Sequence, residues 1–385
     1  MSLLDHIILF SYLFFLFFYW GKQNYKTSSF WQFWTSALLP MFSYSLIVGS
    51  RYGWGADYMG YKYRFEHMSS YPDEQIGFRW LNYFIDSVGL NYVGGYIVYS
   101  LIFIVCSFIL IRSYGKDSKY MYAFVIPSTL IFISGIIRQG ISFSFLLLAI
   151  YFLNKRKWAG VVISIVVGVS IHSSILIPFG IILACFFLLK KPIHWLISIP
   201  LYIFFAYLFD VSKVGIISNY IQYVSLDSKF QSYIDNSDRW FGADAVDDKF
   251  EQSIFALTMS SLYYISIIYL GYHALKIRYK GNIAYLYNSA VIGFIFLRAV
   301  FLFEILKRFA QPLVMLHFIP LGYILYIFLD YFGFLRGKLA RQRSSVSVSF
   351  KPYQKFLLIC IFLYLIFFWG RFIFQNPEAM FFWNS

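Results

Sequence analysis

Charge is scarce in this chain. Only 13% of its 385 residues are Asp, Glu, Lys or Arg, and no long polar stretch remains that could fold as a separate soluble domain. Cysteine is scarcer still: Cys106, Cys185 and Cys360 lie far apart, each inside an apolar run. That spacing gives neither a disulfide framework nor a zinc motif, and suggests small buried hydrophobes instead. Metal-ligand patterns are missing too. The six histidines form no His-Glu-x-x-His pair, and no Asp-x-Asp or paired-Cys motif occurs, so neither a bound metal nor another cofactor is expected. The amino terminus, MSLLDHIILF, has no basic residue ahead of its apolar run and no small-residue cleavage site. Residues 4–20 therefore read as a retained span. Neither an internal repeat nor the inverted symmetry common in transporters is visible.

Apolar and aromatic side chains fill the rest. Sixty per cent of residues are hydrophobic, with 46 Phe and 34 Tyr. Crossing a bilayer core takes about 20 apolar residues per helix. Runs of that kind stand near 4–20, 30–48, 92–111, 120–136, 139–154, 158–171, 173–189, 193–209, 253–275, 282–303, 309–329 and 356–374. The reading is an all-α polytopic integral membrane protein of about twelve helices, one membrane domain over 1–385. Residues 76–90 (IGFRWLNYFIDSVGL) are amphipathic and suit the membrane interface.

Loop charge gives the expected orientation. Alternate connections carry Lys22 and Lys26; Arg112, Lys116 and Lys119; Lys155–Arg156–Lys157; Lys190–Lys191; and Lys276, Arg278 and Lys280. The last is the Ser-rich stretch 336–355, with Arg336, Lys338, Arg341 and Arg343. Only Asp117 and Asp330 accompany these cations. Basic loops stay cytoplasmic. Both termini, the first loop with its interfacial helix (49–91) and the large loop 210–252 then face outward. The net charge of +14 reads as anchoring to anionic lipid, with no nucleic acid as partner.

Some outer-level residues are costly in a bilayer and so mark function. Arg51 leaves the second span, Arg138 sits between two apolar runs with almost no loop, Arg298 falls about a turn and a half inside the tenth, and Arg308 begins the eleventh. Glu304 is one helical turn before Arg308 and offers it a salt bridge. A planar guanidinium fork suits a diphosphate, although an interfacial Arg also snorkels to lipid phosphate without other purpose. His172 ends the sixth span and is either a satisfied polar contact or a base near neutral pH. The first outer loop adds Asp57, Glu66, Asp73 and Glu74 as bases or hydroxyl-binding groups. Its Tyr52, Trp54, Tyr58 and Tyr61 offer faces for sugar rings, or simply an aromatic belt.

The order Arg51-Tyr-Gly-Trp-Gly-Ala-Asp57-Tyr58, Tyr61, Glu74 ahead of Gly77-Phe78, Arg138-Gln139 and His172-Ser173-Ser174 resembles the EpsG/Wzy-like family of polysaccharide and O-antigen repeat-unit polymerases of bacterial envelopes. The similarity runs from about residue 45 to 180, with a weaker echo around Arg308. Ser142 stands where the family usually has Ala, and Gln311-Pro312 follow Arg308 where aromatics are expected. The resemblance implies a GT-C-like membrane glycosyltransferase of the inner membrane with an outward-facing site. It implies transfer of a growing glycan from undecaprenyl diphosphate to the terminal hydroxyl of a new lipid-linked repeat. Donor, acceptor, membrane lipids and a chain-length regulator would be its partners. Arg51, Arg138 and Gln139 would bind substrate with Tyr58 and Tyr61, Arg298 or Arg308 assisting. His172 or Asp57 would be the base, and Glu74 would orient sugar or brace an arginine. A lipid-linked oligosaccharide flippase, an O-antigen ligase and a membrane O-acyltransferase are the rival readings.

Overall fold

A computed structural model describes residues 3–27, 29–53, 57–71, 75–209, 253–331, 352–374 and 380–381. The 210–252 loop, residues 54–56 and 72–74 (Glu74 included) and most of the 336–355 stretch lie outside the described residues.

Helix stands at every one of the apolar runs. The elements are α1 (Leu3–Asn24), α2 (Phe30–Gly49), β1 (Arg51–Tyr52), α3 (Tyr58–Glu66), α4 (Ile76–Ser87), α5 (Tyr92–Arg112), α6 (Met121–Gly135), α7 (Ile137–Asn154), α8 (Trp158–Ile171) and α9 (Leu176–Leu188). There follow α10 (Trp195–Ile203), α11 (Ile254–Ile277), α12 (Gly281–Ala299), α13 (Glu304–Met315), α14 (Phe318–Leu325), α15 (Pro352–Phe374) and β2 (Met380–Phe381). Among the described residues, four helical stretches are long and apolar enough to cross a membrane by length and composition: Tyr92–Arg112, Ile137–Asn154, Ile254–Ile277 and Leu306–Leu329. Others, such as Trp158–Ile171, are apolar but shorter.

Two boundaries differ from the apolar pattern. The run expected at 282–303 stops being helical at Ala299, because Val300 (φ −120°, ψ 21°) leaves the helical region. Arg298 is therefore in the last turn of α12, not a turn and a half inside a span. The run expected from 309 instead begins at Glu304, which puts Arg308 in the second turn of α13.

The helices cluster into two compact units, one comprising residues 1–180, 317–350 and 365–385, the other 181–316 and 351–364. In the first, α7 packs on α5 and α8, α2 on α5, and α6 on α1 and α14. In the second, α12 packs on α13 and α10, and α10 on α11. Lipid supplies no hydrophobic force between helices, so small residues that let backbones approach carry much of the association. Gly49 shows this: a Cβ there would lie 2.5 Å from the Ile97 Cα. Two buried serines are satisfied within their own helices, Ser107 on the Phe103 carbonyl at 2.9 Å and Ser144 on that of Gly140 at 3.0 Å.

Outward faces are apolar. On α8, Val162, Ile163 and Val166 are each at least 60% exposed. A contiguous patch of that kind is a liability in water and the expected surface in lipid. With the helical runs, it makes the chain an all-α membrane-embedded protein. The amphipathic segment 76–90 also exposes apolar side chains. Along α4 and its continuation, Ile76, Trp80, Phe84 and Val88 form an exposed i, i+4 stripe, while Phe78, Asn82 and Ile85 are buried.

A short antiparallel pair joins the chain's end to its first loop, Arg51 opposite Phe381 and Tyr52 opposite Met380. Residues so paired share one side of a membrane, so an even number of crossings separates them.

Candidate functional site

The first unit gathers most of the motif residues around the start of α7. Ile136, with φ −126° and ψ 76°, is all that separates α6 from α7. That break puts Arg138 in the first turn of α7, where backbone N–H groups lack intrahelical partners and the helix dipole favours negative charge.

Beside it, α3 and α4 fold down onto the ends of α5, α7 and α8. Their cluster includes Tyr58, Tyr61, Phe65, Phe78, Tyr96 and Ile137, all buried. Gly77 permits the approach, since a Cβ there would sit 2.2 Å from the Ser170 Oγ of α8. Asn82 of α4 accepts a short hydrogen bond from the Tyr99 hydroxyl of α5. Phe78 then meets Tyr61 edge-on at 5.6 Å and lies 6.0 Å from the Arg138 guanidinium.

Arg138 is half-buried. Its Nε donates to the Tyr61 hydroxyl at 2.9 Å, and the guanidinium stands 5.5 Å from the Tyr61 ring centre. Burial holds the Tyr61 phenol above its ordinary value, although the Arg138 charge pulls the other way, so Tyr61 accepts as a neutral hydroxyl. Asp57 stands one helical turn before Tyr61, and its carbonyl accepts from the Tyr61 backbone N–H at 2.9 Å. It opens α3 but makes no capping bond with its side chain, which leaves the half-exposed carboxylate uncommitted to its own helix. Further cations lie against tyrosines nearby: Arg64 is 5.7 Å from the Tyr61 ring centre and Lys62 4.7 Å from that of Tyr92.

Arg51 and Tyr58 sit deeper. Arg51 is 2% exposed, donates to the Val48 carbonyl at 2.5 Å, and stands 5.2 Å from the Tyr96 ring centre. Tyr96 stacks on Tyr58 at 4.7 Å and donates its hydroxyl to the Tyr58 carbonyl at 2.9 Å. Arg51, Tyr96 and Tyr58 thus form a packed column under the loop.

His172 belongs to a second polar chain. Gln139, 2% exposed, donates from Nε2 to the Ser174 Oγ at 2.9 Å, and that oxygen lies 2.7 Å from the His172 Nδ1. The Ser174 backbone N–H also points at Nδ1, at 3.3 Å. A backbone amide can only donate, so Nδ1 accepts and the neutral imidazole keeps its proton on Nε2. Ser142 holds this corner from below, donating to the Gly168 carbonyl at 2.7 Å and the His172 carbonyl at 3.2 Å. The Ser142 hydroxyl therefore braces the turn that presents His172.

Arg298 and Arg308 belong to the second unit. Arg298 is 5% exposed, donates from Nε to the Tyr202 hydroxyl at 3.0 Å and from Nη2 to Ser260, and packs among Tyr202, Tyr264 and Phe301. Arg308 is half-buried, and its Nε, like the Gln311 Oε1 on the same helix face, is buried without a hydrogen-bond partner among the described residues. Sequence reasoning gave no sign of Tyr96, Tyr99, Asn82 or Tyr202, because their partners are distant in the chain. Among the described residues, no three His, Cys, Asp or Glu side chains gather as metal ligands.

No curated protein and no solved structure matches the chain. The EpsG family profile matches residues 34–384, well beyond the 45–180 segment that carries the motifs. This membrane protein, with its motif residues assembled around Arg138, belongs to the EpsG family, and its work lies in polysaccharide biosynthesis.

Proposed function

We propose that the chain polymerises lipid-diphosphate-linked oligosaccharide repeats at the outer leaflet of a bacterial inner membrane. It would do so as a twelve-span glycosyltransferase of GT-C-like architecture with undecaprenyl diphosphate as leaving group. The observation that carries this reading is the convergence at the start of α7. Residues from four separated motifs meet there: Tyr61, one helical turn after Asp57; Phe78; Arg138–Gln139; and His172–Ser174. The β1–β2 pair supports the even span count, since ten of the twelve runs lie between its strands.

In this scheme Arg138 and the first turn of α7 hold the donor diphosphate, with Tyr61 and Phe78 fixing the guanidinium. Asp57 takes the proton from the acceptor hydroxyl. The acceptor oxygen attacks the anomeric carbon of the growing glycan, and that carbon's bond to the diphosphate oxygen breaks. Undecaprenyl diphosphate leaves with the electron pair, its charge met by Arg138. His172 donates from Nε2 to a sugar or phosphate oxygen, and Gln139 with Ser174 holds the tautomer that makes this possible. Arg51 stabilises the tyrosine column beneath. Neither Arg298 nor Arg308 is needed for the scheme.

The test is to incubate the purified protein with lipid-diphosphate-linked repeats and separate products on a gel. A ladder supports polymerisation. Transfer to lipid A core supports ligation, and movement across the bilayer without a new bond supports a flippase.

A further inference from the structure

The other ends of α2, α5 and α7, where the basic loops emerge, enclose two cavities that the proposed catalytic scheme does not use. One, of about 530 Å³, is lined by Lys26, Arg112 and Lys116 together with Asn24, Tyr25 and Thr27. The second, of about 690 Å³, has an apolar wall of Phe30, Trp34, Ile109, Leu148 and Phe152, with Arg112 and Lys155 also lining it. Arg112 belongs to both. Its guanidinium stands 4.5 Å from the Phe33 ring centre, on an aromatic support that leaves little conformational freedom to lose on binding.

A cationic chamber and an apolar-walled one that share Arg112 are together complementary to a phosphate-bearing lipid. We infer that these two cavities bind an anionic phospholipid of the cytoplasmic leaflet. Arg112 contacts the phosphate, with Lys116 and Lys155 on either side. An acyl chain lies along Phe30, Ile109 and Leu148. Diffuse attraction of basic loops to anionic lipid needs no apolar-walled cavity; here one is lined by Arg112 and Lys155. The inference is independent of the polymerase reading.

Native mass spectrometry of the full chain, exchanged from nanodiscs of phosphatidylglycerol or phosphatidylcholine into detergent, tests it. The wild type should retain one phosphatidylglycerol and no phosphatidylcholine. A lysine beside the bound phosphate contributes about fivefold to affinity, so the Lys116→Ala/Lys155→Ala double variant should bind about 25-fold more weakly. Both side chains are exposed, so the fold should survive the change. Lys22→Ala/Lys157→Ala, equal in charge and outside both cavities, should bind as wild type. Equal retention of phosphatidylcholine would overturn the inference. So would an equal loss in the two lysine pairs, or equal protection from thermal unfolding by inorganic phosphate alone.

Discussion

Replacing His172 by glutamine separates the two jobs an imidazole can do here. Nδ1 accepts from the Ser174 N–H at 3.3 Å and lies 2.7 Å from its hydroxyl, so the transferable group in this arrangement is a proton on Nε2, not a lone pair. A glutamine side chain reaches about as far as Nε2 and carries N–H groups, but cannot serve as a base. A hydrogen bond from a neutral donor to a charged oxygen is worth about 1.5–3 kcal/mol, or about 10–150-fold in rate. His172→Ala should lose that much, and His172→Gln should return to within about tenfold of wild type. Loss of a general base costs about 10²–10⁴-fold, and glutamine restores none of it. Glutamine also leaves Ser174 without its acceptor, at a cost to folding of about 0.5–1.5 kcal/mol, which Ser174→Ala measures separately. The assay is the initial rate of glycan extension on lipid-diphosphate-linked repeats, with thermal unfolding of each variant alongside. A His172→Gln enzyme as slow as His172→Ala, both folded and down by more than about 10³-fold, would refute the donor role and make His172 the base.

Three further outcomes follow from single contacts. Tyr61→Phe keeps the ring but removes the acceptor for the Arg138 Nε; extension should slow at least about tenfold while the unfolding midpoint barely moves. Asn288→Ala removes bonds to the Ile193 N–H and to the Leu189 and Lys191 carbonyls, which clamp the turn between α9 and α10. It should destabilise the protein by about 2–4 kcal/mol in detergent unfolding. Gly49→Ala drives a methyl against the Ile97 backbone and should cost about 1–3 kcal/mol of stability, read in the same experiment.

Membrane architecture was legible because the bilayer demands it: apolar runs must be helical, and every one proposed is. Ends were less so. Apolarity continues past Ala299, so nothing in composition marks where α12 stops or that Arg298 lies in its last turn. For the site, motif order pointed to Arg138, Gln139 and His172, and the structure joins Gln139 to His172 through Ser174. The tyrosines that support Arg51 and Arg298 were hidden. Among 34 tyrosines, only long-range packing selects Tyr96 for one and Tyr202 for the other. The two cavities that Arg112 lines were equally invisible, since their cations look in sequence like ordinary positive-inside anchors.

The central claim is that glycan extension takes place around Asp57 and Arg138. Its most direct measurement is single-turnover extension by purified wild type, Asp57→Asn and Arg138→Ala, each reconstituted with lipid-diphosphate-linked repeats. The account predicts a ladder that lengthens with time for wild type. It predicts about 10²–10³-fold slower extension for Arg138→Ala, the range for loss of one preorganised donor to developing charge. For Asp57→Asn the loss should be about 10²–10⁴-fold. Wild-type ladders from both folded variants would contradict it.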